Sequence, residues 1–242
     1  MTGEAVAAGD PSAASGTAPP GTGPPGGALP LTIEESASLV VGWEWAETRL
    51  FEVVGGWAPT AHSPAAKLYF DACSQHHAWR ARLWEEHRPG LPAHLVPGPG
   101  RAGPPVHGPP LHEPPLHEPP VHKLAVHEPA VAELAVHELA GLADDAGRLA
   151  AYCRVVLPRT VFGYRSWQER CSSVSDRAVA RALGFALSDV LADWERGSAL
   201  LAVHLSGEAG EVAAGVAADA SRRVDEALAR QGLLPDGRAG PL

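Results

Sequence analysis

The chain has 242 residues, 45% of them apolar, and a formal net charge of −9. That acidity tells against sequence-independent binding to nucleic acid, which needs a basic face. No run of 18 apolar residues occurs, so no membrane partner is expected.

Length leaves room for one domain with tails. Residues 1–31 are almost all Ala, Gly, Pro, Ser and Thr and carry no aromatic side chain. They are expected to form a disordered tail, without the basic-then-apolar pattern of a signal peptide. The first helix, about 32–55, opens with capping-box spacing between Thr32 and Glu35. Ile33, Val40, Trp43, Leu50, Phe51 and Val54 mark its apolar face, and Gly55-Gly56 marks its end. A second helix, about 63–88, starts at Ser63-Pro64, a cap residue followed by proline at the first helical position. Its expected inner stripe is Ala65, Leu68, Ala72, Trp79 and Leu83, and Pro89 stops it.

Residues 89–129 form a His/Pro-rich connector. A degenerate five-residue repeat places histidines at 107, 112, 117, 122, 127 and 137, with Ala132 filling the skipped position. Imidazole suits zinc or nickel, which raises a metal-buffering function. Five residues advance a helix by about 500°, however, so successive histidines share no face. The simpler reading is a solvated linker.

The third helix is expected over about 130–171, with Leu134, Leu142, Leu149, Tyr152, Val156 and Trp167 inward. Pro158 should kink it or divide it in two. A Ser/Asp cluster at 172–176 caps a fourth helix over about 175–206, lined by Val179, Leu183, Leu187, Val190, Trp194 and Leu201. Gly207 closes it. Residues 207–242 add a weak Ala-rich helix and a polar tail. The class is all-α: two helical pairs joined by one long connection, long enough for the second and third helices to run parallel.

Three stretches carry a resemblance: Trp45-Ala-Glu47-Thr-Arg-Leu-Phe51, His76-His77-Ala-Trp79, and Asp176 with Arg181-Ala-Leu183 and Asp189. They resemble the ferritin-like four-helix-bundle superfamily. That resemblance implies a bundle with one long crossover and an iron or manganese di-metal centre. Its ligands would be inward carboxylates on all four helices and Glu-x-x-His pairs on two. Glu44 and Glu47 on the first helix, His76 and His77 on the second, and Asp189 and Asp193 on the fourth are the candidate metal ligands. The chain departs from the pattern: Cys73 and Ser74 stand three residues before the two histidines, Trp194 occupies the region of the expected fourth-helix histidine, and the third helix has no inward carboxylate.

Glu47 and His76 therefore read first as a structural carboxylate–imidazole pair, with His77, Glu85 and Glu86 facing solvent. Cys73 reads as a small buried apolar residue rather than a nucleophile. Cys73, Cys153 and Cys171 lack CxxC spacing, so they are expected to be reduced thiols of a cytoplasmic protein. The seven tryptophans are mostly core, while Trp45 and Trp84, off the main stripes, mark a partner surface for a homodimer or another protein. The function expected is a non-catalytic helical scaffold or interaction protein with most metal ligands lost. A metal-dependent oxidoreductase and a metal buffer are the alternatives.

Overall fold

In the computed structural model, residues 30–88, 129–172, 174–206 and 210–231 are described, with residues 129–134 and 231 described by their backbone alone. The readings of residues 1–29, of most of the repeat connector, of Gly207 and of the polar tail lie outside them. The helices are α1 (Ile33–Trp57), α2 (Pro64–Glu86), α3 (Pro129–Ala140), α4 (Asp145–Ala151), α5 (Leu157–Arg170), α6 (Arg177–His204) and α7 (Gly210–Gln231). A short 3₁₀ turn follows α1, and a π-helical turn, Tyr152–Val156, joins α4 to α5. The described residues contain no strand, as the all-α reading expects.

Local chemistry sets the first two helices. Thr32 and Glu35 form the reciprocal capping box, and the Ser63 hydroxyl accepts from the Ala66 amide with Pro64 behind it. Asp145 braces this corner from α4: its carboxylate accepts from the backbone amides of His62 and Ser63.

Pairs of touching side chains give the helix directions. Glu44 ion-pairs with Arg88, Glu47 with Arg80, and Trp57 packs on Phe70, so α1 and α2 are antiparallel. Tyr152 lies beside Tyr69 and His77, whereas Tyr164 and Trp167 lie beside Trp84. The segment through the π turn and α5 thus runs parallel to α2. Asp193 meets Tyr69 and His76, while Asp189 meets Arg80, so α6 runs antiparallel to α2. A parallel second and third rod is what a long connection between helical pairs allows.

Three expectations need correction. The single helix over 130–171 is broken at Gly141–Asp144, where the Asp144 carboxylate caps α4 by accepting from the Gly147 amide. Pro158 does not interrupt the run, which passes into a π turn, Tyr152–Val156, just before it, and that turn accommodates the missing N–H. The extra residue also changes phase. Tyr152 and Tyr164 would stand about 120° apart on a regular helix, but one inserted residue leaves them roughly 20° apart. Finally, α7 is no loose appendage: Ala217, Ala220, Val224, Ala227 and Leu228 are buried in the core.

The largest correction concerns α2. Its buried residues are Ala66, Tyr69, Phe70, Cys73, Ser74, His77, Arg80 and Trp84. Most of the expected stripe is turned outward, with Leu68 73% and Trp79 45% exposed, while Leu83 is half-buried against the core. Apolar periodicity misled because the true inner face is half polar. The carboxylates of α1 and α6 are buried, and a face bearing a cation and hydrogen-bond donors satisfies them better than an apolar one. Trp84, read as surface, is completely buried, and Trp45 is half-buried. Ile33 and Phe51 on α1 also lie outward.

Candidate functional site

A charged cluster lies where α1, α2, the π turn, α5 and α6 meet. Its centre is Arg80, fully buried, with its guanidinium shared between helices. Nε stands 3.1 Å from both oxygens of Glu47 on α1. Nη1 bonds Asp189 on α6 and lies 3.5 Å from Asp193. Burial disfavours charge on this group, but the adjacent Glu47 overrides that and raises its pKa above the usual arginine value.

Glu47 is also fully buried and has four donor contacts. Besides Arg80, the Tyr164 hydroxyl donates to Oε1 at 2.5 Å and His77 Nδ1 meets Oε2 at 2.5 Å. Burial would raise this carboxyl, but the Arg80 guanidinium and the His77 and Tyr164 donors hold it down at about 2. His77 is the inward histidine, against expectation. Burial pushes it below its ordinary value, and the Arg80 charge adds to this against the pull of Glu47. A neutral imidazole donating from Nδ1 to Glu47 must accept at Nε2, and the Tyr152 hydroxyl stands 2.7 Å from Nε2 to donate. Arg80 Nη2 lies 2.9 Å from the same Nδ1, which has one proton to give; the carboxylate takes it. Tyr152 and Tyr164 are both held protonated, chiefly by burial.

His76 sits at the outer edge, 31% exposed, with Nδ1 2.9 Å from Asp193. Asp193 is fully buried and takes a further bond from Arg196 at 2.6 Å. His76, Asp189 and Asp193 offer ligand atoms within 4.8 Å of one another, the one such group of three among the described residues. Of the six expected ligands, the structure thus joins these three. It sets Glu47 and His77 on the far side of Arg80, and it removes Glu44, which pairs with Arg88 beside an open groove of about 410 Å³ between α1 and α2. The expected Glu47–His76 pair is replaced by Glu47–His77 and His76–Asp193. Glu85 and Glu86 are exposed, as expected.

Sequence reading missed Arg80, Tyr152 and Tyr164 as polar members of the cluster. One signal was available: Arg80 falls one turn after both histidines, beside Cys73 and His77 on the helical wheel. Cys73, Cys153 and Cys171 are free thiols. Burial raises Cys73 well above the thiol range and Cys153 to about 11, so neither offers a thiolate at neutral pH. No described helix is long and apolar enough to cross a membrane.

Set beside family models, curated proteins and solved structures, the chain matches none of the three.

Proposed function

We propose that this chain is a ferritin-like four-helix bundle that has exchanged a central metal for a fixed guanidinium and acts as a non-catalytic helical scaffold or interaction protein. The observation carrying this reading is Arg80, buried between Glu47 on one side and Asp189 and Asp193 on the other. The residues do not fit a di-metal centre. A cation already neutralises the carboxylates, the helical segment α4–α5 presents phenols instead of carboxylates, and the buried thiols are protonated. A divalent ion placed there would meet the Arg80 charge at close range.

A second reading rests on His76, Asp189 and Asp193: a mononuclear site open at the His76 edge, as a metal-dependent oxidoreductase or a simple ion site would need. Arg196 and Arg80 compete for both carboxylates, which favours the scaffold. The metal-buffer reading rests on the connector histidines, outside the described residues.

Metal analysis of tag-free full-length protein separates the three. The scaffold predicts no stoichiometric metal. Iron or manganese lost on His76→Ala would install the mononuclear site in its place. Zinc or nickel lost on deleting residues 104–128 would favour buffering.

A further inference from the structure

Helix α2 has two faces able to pack, one mixed and one apolar. One is buried around Arg80. The other, Ala65, Leu68, Ala72 and Trp79 with Leu83 at its edge, keeps the three-and-four spacing of a packing stripe, and its two largest members apart from Leu83 point outward. Leu68 is 73% exposed and Trp79 45%, while Ala72 and Leu83 are half-buried. Among the described residues nothing covers this tryptophan, which marks the stripe as a contact surface.

We propose that this stripe is the interface of a homodimer in which α2 lies antiparallel against α2 of a second copy. The stripe is self-complementary, as a two-fold interface requires. With the two-fold axis between Gln75 and His76, Leu68 falls opposite the partner's Leu83, and Ala72 falls opposite the partner's Trp79. Small then faces large, so the side chains interdigitate. The charges agree with the same register. In antiparallel helices each flank meets its own counterpart. Exposed Asp71 falls two residues from the partner's Arg82 on the same flank of the stripe. The attraction occurs twice by symmetry.

Helix α2 has 23 residues, roughly 35 Å at 1.5 Å per residue. Phe185 on α6, 53% exposed, widens the apolar area. It sits one turn from Asp189, on the flank beside α2. A second copy is favoured over another protein because opposite charges and matching apolar residues are both supplied by the same helix.

Sedimentation of the full chain over micromolar concentrations tests this. A dimer is expected, and Trp79→Glu or Leu68→Glu should yield monomers of unchanged helical circular dichroism, since both positions are exposed. Asp71→Arg should weaken the dimer about tenfold by setting like charges against each other, and adding Arg82→Asp should restore it. A monomeric full chain overturns the inference, the face then belonging to another segment of the chain or to a different protein. So does a dimer indifferent to these substitutions. The inference stands on the outer face of α2 and fails or holds independently of metal content.

Discussion

Arg80 Nε lies 3.1 Å from both carboxylate oxygens of Glu47, and neither side chain has any exposure to solvent. The pair fixes the rotation of α2 against α1, because turning α2 by one residue would strand a charge in the core. Losing one partner of such a pair costs about 3–5 kcal/mol. Arg80→Leu is expected to lose that much in urea unfolding, and adding Glu47→Gln should recover part of it by removing the orphaned charge.

Acid should unfold the protein in two stages. Glu47 has a folded pKa of about 2 against 4.5 for the free group, so its contribution is complete above about 4.5 and vanishes as pH falls through about 2. The difference corresponds to roughly 3 kcal/mol. His77 is lowered from 6.5, so the unfolded state binds its proton more readily. Stability should therefore already decline as pH drops below 6.5, and His77→Gln should flatten that upper limb while leaving the lower one. Urea midpoints measured from pH 8 to pH 3 check both signs.

The two phenols should differ in worth. Tyr164 donates to an ionised carboxylate and Tyr152 to a neutral imidazole. Tyr164→Phe is expected to cost about 1.5–3 kcal/mol and Tyr152→Phe about 0.5–1.5 kcal/mol. Equal losses in chemical unfolding would contradict the assigned charge states.

Gly197 lets α6 close on α2 and the π turn. A Cβ there would overlap Tyr69 Oη and Cys153 Sγ, whereas a Cβ at Gly184 meets nothing within 4 Å. Gly197→Ala should destabilise by about 1–3 kcal/mol through overpacking. Gly184→Ala, exposed inside the same helix, should stabilise by about 0.5–1 kcal/mol. Thermal midpoints moving in the same direction would refute this.

The starts of α1 and α2 and most of the inner stripe of α6 were legible from Thr32, Ser63-Pro64 and the Leu183, Leu187, Val190 and Leu201 spacing, because capping and helical periodicity are local. The break at Gly141–Asp144 was not read, because the apolar run on either side of its glycine and paired aspartates continued the helical spacing. Nor was the π turn, since nothing local marks it apart from Pro158.

Helix α2 shows where local information ends. Its residues alone determine a helix with two usable faces, one apolar at Leu68, Ala72 and Trp79 and one mixed at Cys73, His77 and Arg80. Either could turn inward by periodicity. Only the assembled bundle decides, because Glu47 on α1 and Asp193 on α6 converge on the same volume from distant parts of the chain, and buried carboxylates demand a cation and donors at that point. The sequence determined the all-α class, the caps of α1 and α2 and the acidic character; the tertiary structure chose which histidine is buried and put a guanidinium between the carboxylates.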